Sequence, residues 1–441
     1  MHLSFGQILL ILLVVGAGIG VFFIVRRQRY VKSLRDQGWS FEGSPGLDRS
    51  YGLNCPPFGL GYNRKIDDLI AGSTSSGVPF AVFEYGSLGY LAALVLPRPL
   101  PELFLGQSVR PGAEGQQKAI GPWTATAKDA AWADAALAAI MGAVDAMAAG
   151  GHRVDLSVDG ARLVALGVPR EAPAMRAFLD ALAPVAQALA SPALAGYEAP
   201  APPAELSIYQ RPDWIYRPAD DRFLNEVAAS GGGYGHEARD VVLGTVQGIA
   251  MIGLTHHWKT DRTETTTDSN GNTTTRTVTD NHSEDILEFH LPWRFGDLSV
   301  NWPGWGNRVR FESSDFDRAF KVRSPQPKFA SDVFHPRQLE FLLRAHPLPF
   351  AIESGRVRFA LGGNTPEQIM HCADFLVAFF AGVPGFVWAD LDYLGQKITP
   401  KPIKPNTPAP IADCSGKVPD GRTFANLAEF TALLKDEQEQ L

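Results

Sequence analysis

The N-terminal part of the chain is an unbroken apolar stretch. No charged side chain occurs from Leu3 to Val25, and from Ile8 onward none is more polar than glycine. A helix of this length, at about 1.5 Å per residue, is about 34 Å long and crosses a hydrocarbon core of about 30 Å. The pattern therefore predicts a transmembrane helix over residues 1–25. A cleaved signal peptide is the alternative, but only His2 precedes the run and no small-residue cleavage site follows it.

Residues 26–35 form a basic juxtamembrane flank. Its five cations are Arg26, Arg27, Arg29, Lys32 and Arg35. Because Lys and Arg are retained on the cytoplasmic side, the flank predicts a single-pass protein of the cell membrane, with its N-terminus outside and its C-terminal body cytoplasmic. The same side chains could contact anionic headgroups, so the lipid bilayer is the first expected partner.

Two glycines inside the apolar stretch have the spacing of a helix-packing motif. Residues 13–20 look like the start of a dinucleotide-binding turn, but Val21 stands where that pattern needs Gly or Ala, and no amphipathic helix follows. Gly16 and Gly20 instead match the small-xxx-small spacing that lets two membrane helices approach closely. They predict an interaction face for a homodimer or a membrane protein complex.

Two segments of the chain carry the same landmarks in the same order. The landmarks recur at offsets of 172 to 175 residues, as Trp39, Asp68 and Gly72 in one segment and Trp214, Asp240 and Gly244 in the other. A later Leu-Pro pair, 96–97 and 291–292, recurs at an offset of 195. The offsets predict an internal duplication with one insertion in the second copy.

The duplication divides the chain into six parts. They are a transmembrane helix (1–25), the basic flank (26–35), a first α+β repeat (36–190), a Pro/Ala linker (191–210), a second α+β repeat (211–385), and a Pro-rich tail with a short C-terminal helix (386–441). Strands and helices do not alternate as in βαβ units, so the predicted fold class is α+β. The predicted helices are 130–147, 174–189, 331–343, 367–380 and 424–439, and a hairpin is expected to turn at Asp159-Gly160.

The insertion in the second repeat is a Thr-rich segment, 259–285, centred on Asn270-Gly271. Asn-Gly favours a two-residue type I′ turn, and Thr is a good strand former, so an extended β-hairpin is predicted. With this turn Asp261 would face Asp280, an unfavourable pair. The tip is therefore expected to be mobile or to need a partner.

Composition and charge narrow the range of partners. The formal net charge is -7 and the sequence pI is about 5.8, which argues against a nucleic-acid partner. Three cysteines in 441 residues do not form a disulfide scaffold, which is compatible with a reducing compartment.

A family resemblance adds to this picture. The single membrane helix, the Gly38-Trp39 pair and, in the second copy, residues 311–322 and 333–337 resemble bacterial single-pass membrane-anchored proteins with a tandemly duplicated domain of unknown function. The resemblance covers most of residues 1–395. It implies the domain arrangement but no activity and no catalytic residues. The first copy departs from the pattern, since it has no counterpart to residues 316–322.

A histidine cluster is the first candidate for chemistry. It comprises His256, His257, His282 and His290, with Glu284, Asp285 and Glu288 nearby. The predicted turn places His257 opposite Glu284 and His256 opposite Asp285, a donor set that suits a metal ion. Adjacent residues of a strand point to opposite faces, however, so both histidines cannot serve one ion without a bulge. Cross-strand ion pairs on a solvated ribbon are the simpler interpretation.

Other motifs give no catalytic assignment. Residues 86–89 are one residue short of a nucleophile elbow and read as a hairpin turn. Cys372 is flanked by phenylalanines and reads as a core residue. Trp302 and Trp305 lie in a Trp-Pro-Gly-Trp loop and form a candidate interaction site for a protein or a membrane interface. The structural alternative is that these residues cover the edge of the sheet.

The sequence thus predicts a non-enzymatic, single-pass membrane protein that acts as a scaffold or binding component at the cytoplasmic membrane face. No catalytic residue and no cofactor is assigned. A metal-dependent enzyme or sensor that uses the His-bearing hairpin, 251–290, is the alternative. A third possibility is a lipid-handling role in an apolar cleft.

Overall fold

The computed structural model describes residues 21–62, 64–227, 229, 231–267, 273–304, 306–360, 364–393, 416–417 and 423–424. The described residues up to Leu60, with Arg64–Tyr209, form one compact unit (unit 1), and the described residues from Gln210 onward, with Gly61 and Tyr62, form a second (unit 2). Both units mix helices with an antiparallel sheet, so the predicted combination of α and β structure is confirmed.

The first described helix, α1, covers residues 21–35. Its first four residues, Val21 to Ile24, are each about 60% exposed. The predicted membrane span lies mostly before Val21, outside the described residues, and so do Gly16 and Gly20. Among the described helices, Ala130–Ala149 has the length and hydropathy to cross a membrane.

Unit 1 is built on a seven-stranded sheet. Its strands are β1 (Ser40–Glu42), β2 (Ile66–Ser73), β3 (Pro79–Tyr85), β4 (Tyr90–Gly106), β5 (Gln116–Ile120), β6 (Trp123–Ala127) and β7 (Asp155–Leu166), and a short strand β8 (Ser207–Ile208) follows later in the chain. The spatial order is β1-β2-β3-β4-β6-β5, and β7 pairs with β4. The turn predicted at 86–89 is a short 3-10 helix between β3 and β4.

Two long helices supply the main core of unit 1. They are α2 (Ala130–Ala149) and α3 (Ala172–Leu189), close to the predicted bounds. Asp129 caps α2 by accepting hydrogen bonds from the backbone amides of Ala131 and Trp132. Trp132 and Phe178 are fully buried in the resulting core. A smaller cluster, which includes Leu53, Phe58 and Phe83, forms a separate core in this unit.

The predicted hairpin at Asp159-Gly160 is wrong. Residues 155–166 form one continuous strand, β7, which runs antiparallel to β4 from Leu91↔Leu166 to Gly106↔Asp155. The pairing shifts register around Leu100↔Gly160, so a bulge replaces the turn. The strand does not reverse because β4, with 17 residues, is long enough to pair with both halves of β7.

Unit 2 also contains an antiparallel sheet. Its strands are β9 (Arg211–Ala219), β10 (Tyr234–Val246), β11 (Ile249–Thr267), β12 (Thr273–His290), β13 (Leu298–Asn301), β14 (Lys321–Arg323), β15 (Phe350–Glu353) and β16 (Arg356–Phe359). Neighbouring strands follow the order β14-β13-β15-β16-β12-β11-β10-β9. Here β15 and β16 form a hairpin that turns at Ser354 and Gly355.

The described part of unit 2 contains the helices α4 (Arg222–Glu226), α5 (Ser314–Ala319), α6 (Pro327–Val333), α7 (Pro336–Ala345), α8 (Pro366–Ala381) and α9 (Gly385–Tyr393). The helix predicted over 331–343 is divided between α6 and α7. His335 is extended, as residues before proline usually are, so α7 starts afresh at Pro336. Phenylalanines fill the core, with Phe350 contacting both Phe375 and Phe379.

The Thr-rich insertion forms the predicted extension of the hairpin. β11 and β12 pair from Ala250↔His290 to Thr267↔Thr273. The predicted register is one residue out, because Asp261 faces Thr279 rather than Asp280. Asn270 and Gly271 lie outside the described residues. In the Pro-rich tail, two-residue strands β17 (Gly416–Lys417) and β18 (Thr423–Phe424) pair, so Phe424 is in a strand and the remainder of the helix predicted over 424–439 is not described.

Candidate functional site

Four aromatic rings are stacked in a row at the base of the long hairpin. Alternation along β11 places His256 and Trp258 on the face where Ile252 and Leu254 join the core beside α4. The pairing of β11 with β10 adds His236 on one side, and the pairing with β12 adds His282 on the other. These four residues are called the His-Trp stack below.

The rings of the His-Trp stack are nearly parallel. Centroid distances are 5.2 Å for His236 and His256, 4.7 Å for His256 and Trp258, and 5.2 Å for Trp258 and His282, with interplanar angles of 18° to 24°. His256 is fully buried. A β-carbon on Gly231 would lie 3.1 Å from the Trp258 indole, so Gly231 packs directly against this ring.

Polar partners occupy the edges of these rings. His236 Nδ1 lies 2.9 Å from His256 Nε2, and His256 Nδ1 lies 3.3 Å from Glu284 Oε1. Arg358 holds the same Glu284 oxygen at 3.6 Å. Both ring nitrogens of His256 therefore lie within hydrogen-bonding distance of protein groups. The tautomer of the ring decides which of these two hydrogen bonds it donates.

This geometry differs from the register on which the alternative interpretation, a metal site, was based. His256 faces Glu284 rather than Asp285, and His257 faces Ser283. The two adjacent histidines do lie on opposite faces, as the strand alternation predicts. Within the part of the chain that the structure describes, no group of three or more His, Cys, Asp or Glu side chains is placed to hold a metal ion.

The fourth histidine of the predicted cluster forms a separate buried pair. His290 Nε2 lies 2.8 Å from Glu288 Oε1, and both side chains are almost completely buried. Arg356 contacts the same carboxylate at 3.2 Å and also donates to the Glu226 carbonyl. The arginine supplies the charge partner that a buried carboxylate needs, so this group is a structural ion pair that connects β16 to the last residue of α4.

Beyond the stack, the hairpin continues as a two-stranded ribbon, defined here as residues 260–267 and 273–280. One face carries a chain of ion pairs: Arg262 contacts Asp280 at 2.7 Å and Glu264 at 2.6 Å, and Arg276 contacts Glu264 at 2.7 Å. The carboxylate of Asp280, followed by that of Glu264, raises the pKa of Arg262. The opposite face is a threonine array that includes Thr263, Thr265, Thr275 and Thr277.

A cavity of about 530 Å³ lies elsewhere in unit 2. Its walls come from residues 294–297, from α6 with the residues before it, and from α9. The polar groups already pair among themselves, since Lys328 contacts Asp332 at 2.7 Å and Asp297 accepts from the Ser354 amide at 2.9 Å. The cavity offers mixed charge around Phe295 and Val387, and its lining contains no nucleophile bonded to a base.

The remaining predicted site residues are placed as follows. Trp302 follows β13 and is 51% exposed. Trp305 lies outside the described residues. Cys372 is buried in α8, and burial raises the pKa of its thiol to about 12, which excludes a reactive thiolate at neutral pH.

The sequence reasoning missed His236 and Arg358. His236 reaches the stack because β10 pairs with β11 through a shifted register between Tyr234 and Glu237. Arg358 reaches Glu284 from β16, 74 positions away in the chain. A shifted strand register of this kind is not visible in the pattern of residues along the chain.

Comparisons with known proteins give little to add. No family model matches the chain, and no curated protein matches it. Among solved structures, the chain is similar to the crystal structure of the mycobacterial trehalose monomycolate transport factor A, TtfA, with a TM-score of 0.30 and 14% identity, covering 39% of this chain and 97% of that one. A similarity this low assigns the chain neither a family nor a function.

Proposed function

We propose that the protein is a single-pass membrane component that binds a partner through the ribbon and acts as a non-enzymatic scaffold at the cytoplasmic membrane face. The observation that carries the proposal is the length of the ribbon. β10 follows β11 only as far as Tyr234↔Lys259, whereas β11 and β12 stay paired for eight further residue pairs, from Thr260↔Asp280 to Thr267↔Thr273.

A ribbon of this kind contributes little to the stability of the fold. An isolated two-stranded hairpin is marginal in water, and most of the ribbon's side chains are exposed. Its main-chain edges are the groups that accept an added strand from a partner. The ribbon is therefore better suited to recognition than to supporting the core.

The membrane attachment rests on α1. Its first residues, Val21 to Ile24, expose large apolar side chains, and the five cations of the basic flank follow within the next eleven positions. An exposed apolar helix end next to such a flank supports a span that continues toward the N-terminus. The positive-inside rule then gives a cytoplasmic body and an external N-terminus.

The internal duplication is part of the same proposal. Asp68 and Asp240, which are equivalent in the offsets, both have φ of 50° and both lie at a register shift between neighbouring strands. A Tyr hydroxyl donates to each carboxylate, from Tyr90 at 3.0 Å and from Tyr216 at 2.6 Å. These shared features support two copies of one α+β domain, of which the second gained the ribbon.

Shortening the ribbon tests the binding role. Replacing residues 261–279 by Asn-Gly joins Thr260 to Asp280, a directly opposed pair, through a two-residue turn. The matched control replaces only 265–275 and keeps the ion-paired part. Native electrophoresis of gently solubilised full-length protein should show a complex that the longer deletion removes. An unchanged complex, with both variants folded by circular dichroism, would reject the ribbon as the binding element.

Topology is tested separately. Protease added to intact cells should leave the C-terminal body intact, and protease added to opened cells should digest it. Extraction of the protein from membranes by alkaline carbonate, or digestion of the body in intact cells, would contradict the proposed anchor or its orientation.

A further inference from the structure

The outer edge of β12 is open along most of its length. One edge of β12 pairs with β11 throughout, but the other pairs with β16 only from Leu287 to His290. Among the described residues, no strand pairs with that edge from Thr274 to Ile286. The corresponding edge of β11 is shorter, and its start is covered by Tyr234, whose hydroxyl donates to Asp261 at 3.0 Å.

This edge lacks three of the devices that protect edge strands from pairing, although it does carry charged side chains. Edge strands in soluble proteins commonly carry Lys, Pro or a bulge that keeps other strands away. Residues 273–286 contain neither Lys nor Pro, and the β11–β12 register runs without a shift. The edge is therefore regular, polar and ready to accept an antiparallel strand.

The sequence of the edge is complementary to itself. If two β12 strands pair antiparallel around a two-fold axis at Val278, each Arg276 faces the Asp280 of the other copy and the two Val278 side chains face each other. Thr274 then faces His282, so nine residues of each strand pair, and this pairing ends before Leu287, where the pairing of β12 with β16 begins.

The charges of the ribbon fit the same arrangement. Within one copy Arg276 contacts Glu264 and Asp280 contacts Arg262. In the paired arrangement each Arg276 lies between its own Glu264 and the other copy's Asp280, so opposite charges alternate across both ribbons. Arg276 and Asp280 lie two residues on either side of Val278, and pairing with a second copy requires this symmetric spacing. Pairing with a strand of an unrelated protein would not require it.

We propose that a second copy of this chain docks on the β12 edge, in antiparallel register centred on Val278, to form a four-stranded sheet from two ribbons. The proposal names the partner that the proposed function leaves open and therefore rests on it. If this dimer fails while shortening the ribbon still removes a complex, the binding role stands and the partner is another protein.

Mixed charge variants test the register. Arg276→Asp makes both positions acidic, and Asp280→Arg makes both basic, so copies of either variant repel each other. A mixture of the two restores opposite charges at both contacts. With full-length proteins carrying different affinity tags in detergent, self-association of each variant should fall about 10-fold, and association of the mixture should recover.

The mixture also controls for damage within the ribbon. Each substitution disturbs a contact to Arg262 or Glu264 in its own chain, and mixing does not repair that contact. Recovery therefore reports pairing between copies. Self-association of either variant at the wild-type level, or no recovery in the mixture, overturns the proposal, as does a monomeric wild-type protein.

Cross-linking gives a second, independent readout. The third cysteine of the chain, Cys414, is first replaced by serine (Cys414→Ser) to remove its thiol. In this background Val278→Cys places two thiols directly opposite each other, with Cα atoms about 5 Å apart. The control Thr274→Cys places them eight residues apart along the strands, roughly 27 Å. A short bifunctional thiol reagent should join Val278→Cys copies and leave Thr274→Cys copies unlinked. Equal cross-linking at the two positions, or none at 278, overturns this register.

Discussion

The indole of Trp214 lies so close to Gly244 that no other residue fits there without movement. A β-carbon on Gly244 would be 2.5 Å from the Trp214 Cδ1 atom. The same distance, 2.5 Å, separates the Cδ1 atom of Trp39 from a β-carbon on Gly72 in unit 1. A guanidinium covers each indole, from Arg211 at 5.5 Å and from Arg176 at 4.7 Å.

The close packing of each glycine against an indole predicts that the two glycines are equally sensitive to substitution. Gly72→Ala and Gly244→Ala should each lower the free energy of unfolding by about 1 to 3 kcal/mol, because the added methyl group overpacks a buried indole. Gly142→Ala is the matched control: it lies within α2 and a β-carbon there meets nothing within 4 Å. That change should stabilise by about 0.5 to 1 kcal/mol. Urea denaturation measures all three, and unchanged midpoints at 72 and 244 would contradict the tight fit.

The hydrogen bond from Tyr216 to Asp240 is expected to stabilise the fold because it is buried. Tyr216→Phe removes a donor 2.6 Å from a carboxylate and should cost about 1.5 to 3 kcal/mol of stability. Tyr234→Phe removes a similar bond to Asp261 at an exposed position and should change stability by less than about 0.5 kcal/mol. Thermal unfolding of the two variants compares them, and equal effects would show that burial is not the cause.

Asp159 should give unit 1 a characteristic pH dependence. Burial raises the pKa of this carboxyl from 3.8 to about 6, although it accepts hydrogen bonds from the backbone amides of Asn54 and Cys55, both at 2.7 Å. The folded state therefore binds a proton more tightly than the unfolded state. The contribution to stability is complete below about pH 4 and is lost as pH rises through about 6, on the order of 3 kcal/mol.

Asp159→Asn provides the control for this titration, because the amide keeps an acceptor oxygen and does not ionise. Urea denaturation at pH 4.5 and pH 7 should show the wild type losing more stability than the variant as pH rises. The same pH dependence in both proteins would assign it to other groups.

The two described cysteines should be inert in the folded protein. Burial raises the pKa of both thiols, and each lies in a core, Cys55 beside Phe104 and Cys372 within α8. Alkylation by a maleimide at pH 7.5 should be at least about 100-fold slower than in urea, because reaction requires local opening. Mass spectrometry of the labelled peptides measures this, and rapid native labelling of Cys372 would contradict its core position.

Much of the local structure could be predicted from the sequence. The helices over 130–147, 174–189 and 367–380 are present within two residues of the predicted bounds, because apolar periodicity and proline near the first turn act locally. The Thr-rich segment forms strands for the same reason, since β propensity and alternation need no distant partner. The separation of His256 and His257 onto opposite faces also follows from strand geometry alone.

Only the tertiary structure decided the strand pairings and what they bring together. Residues 155–166 stay extended because β4 offers a continuous partner, and Asp159 is buried as a result. The one-residue change in register between β11 and β12 moves Glu284 opposite His256 and removes the Asp261–Asp280 conflict. The shifted pairing of β10 then adds His236. Registers depend on contacts between segments far apart in the chain, and alternation within one strand does not specify them.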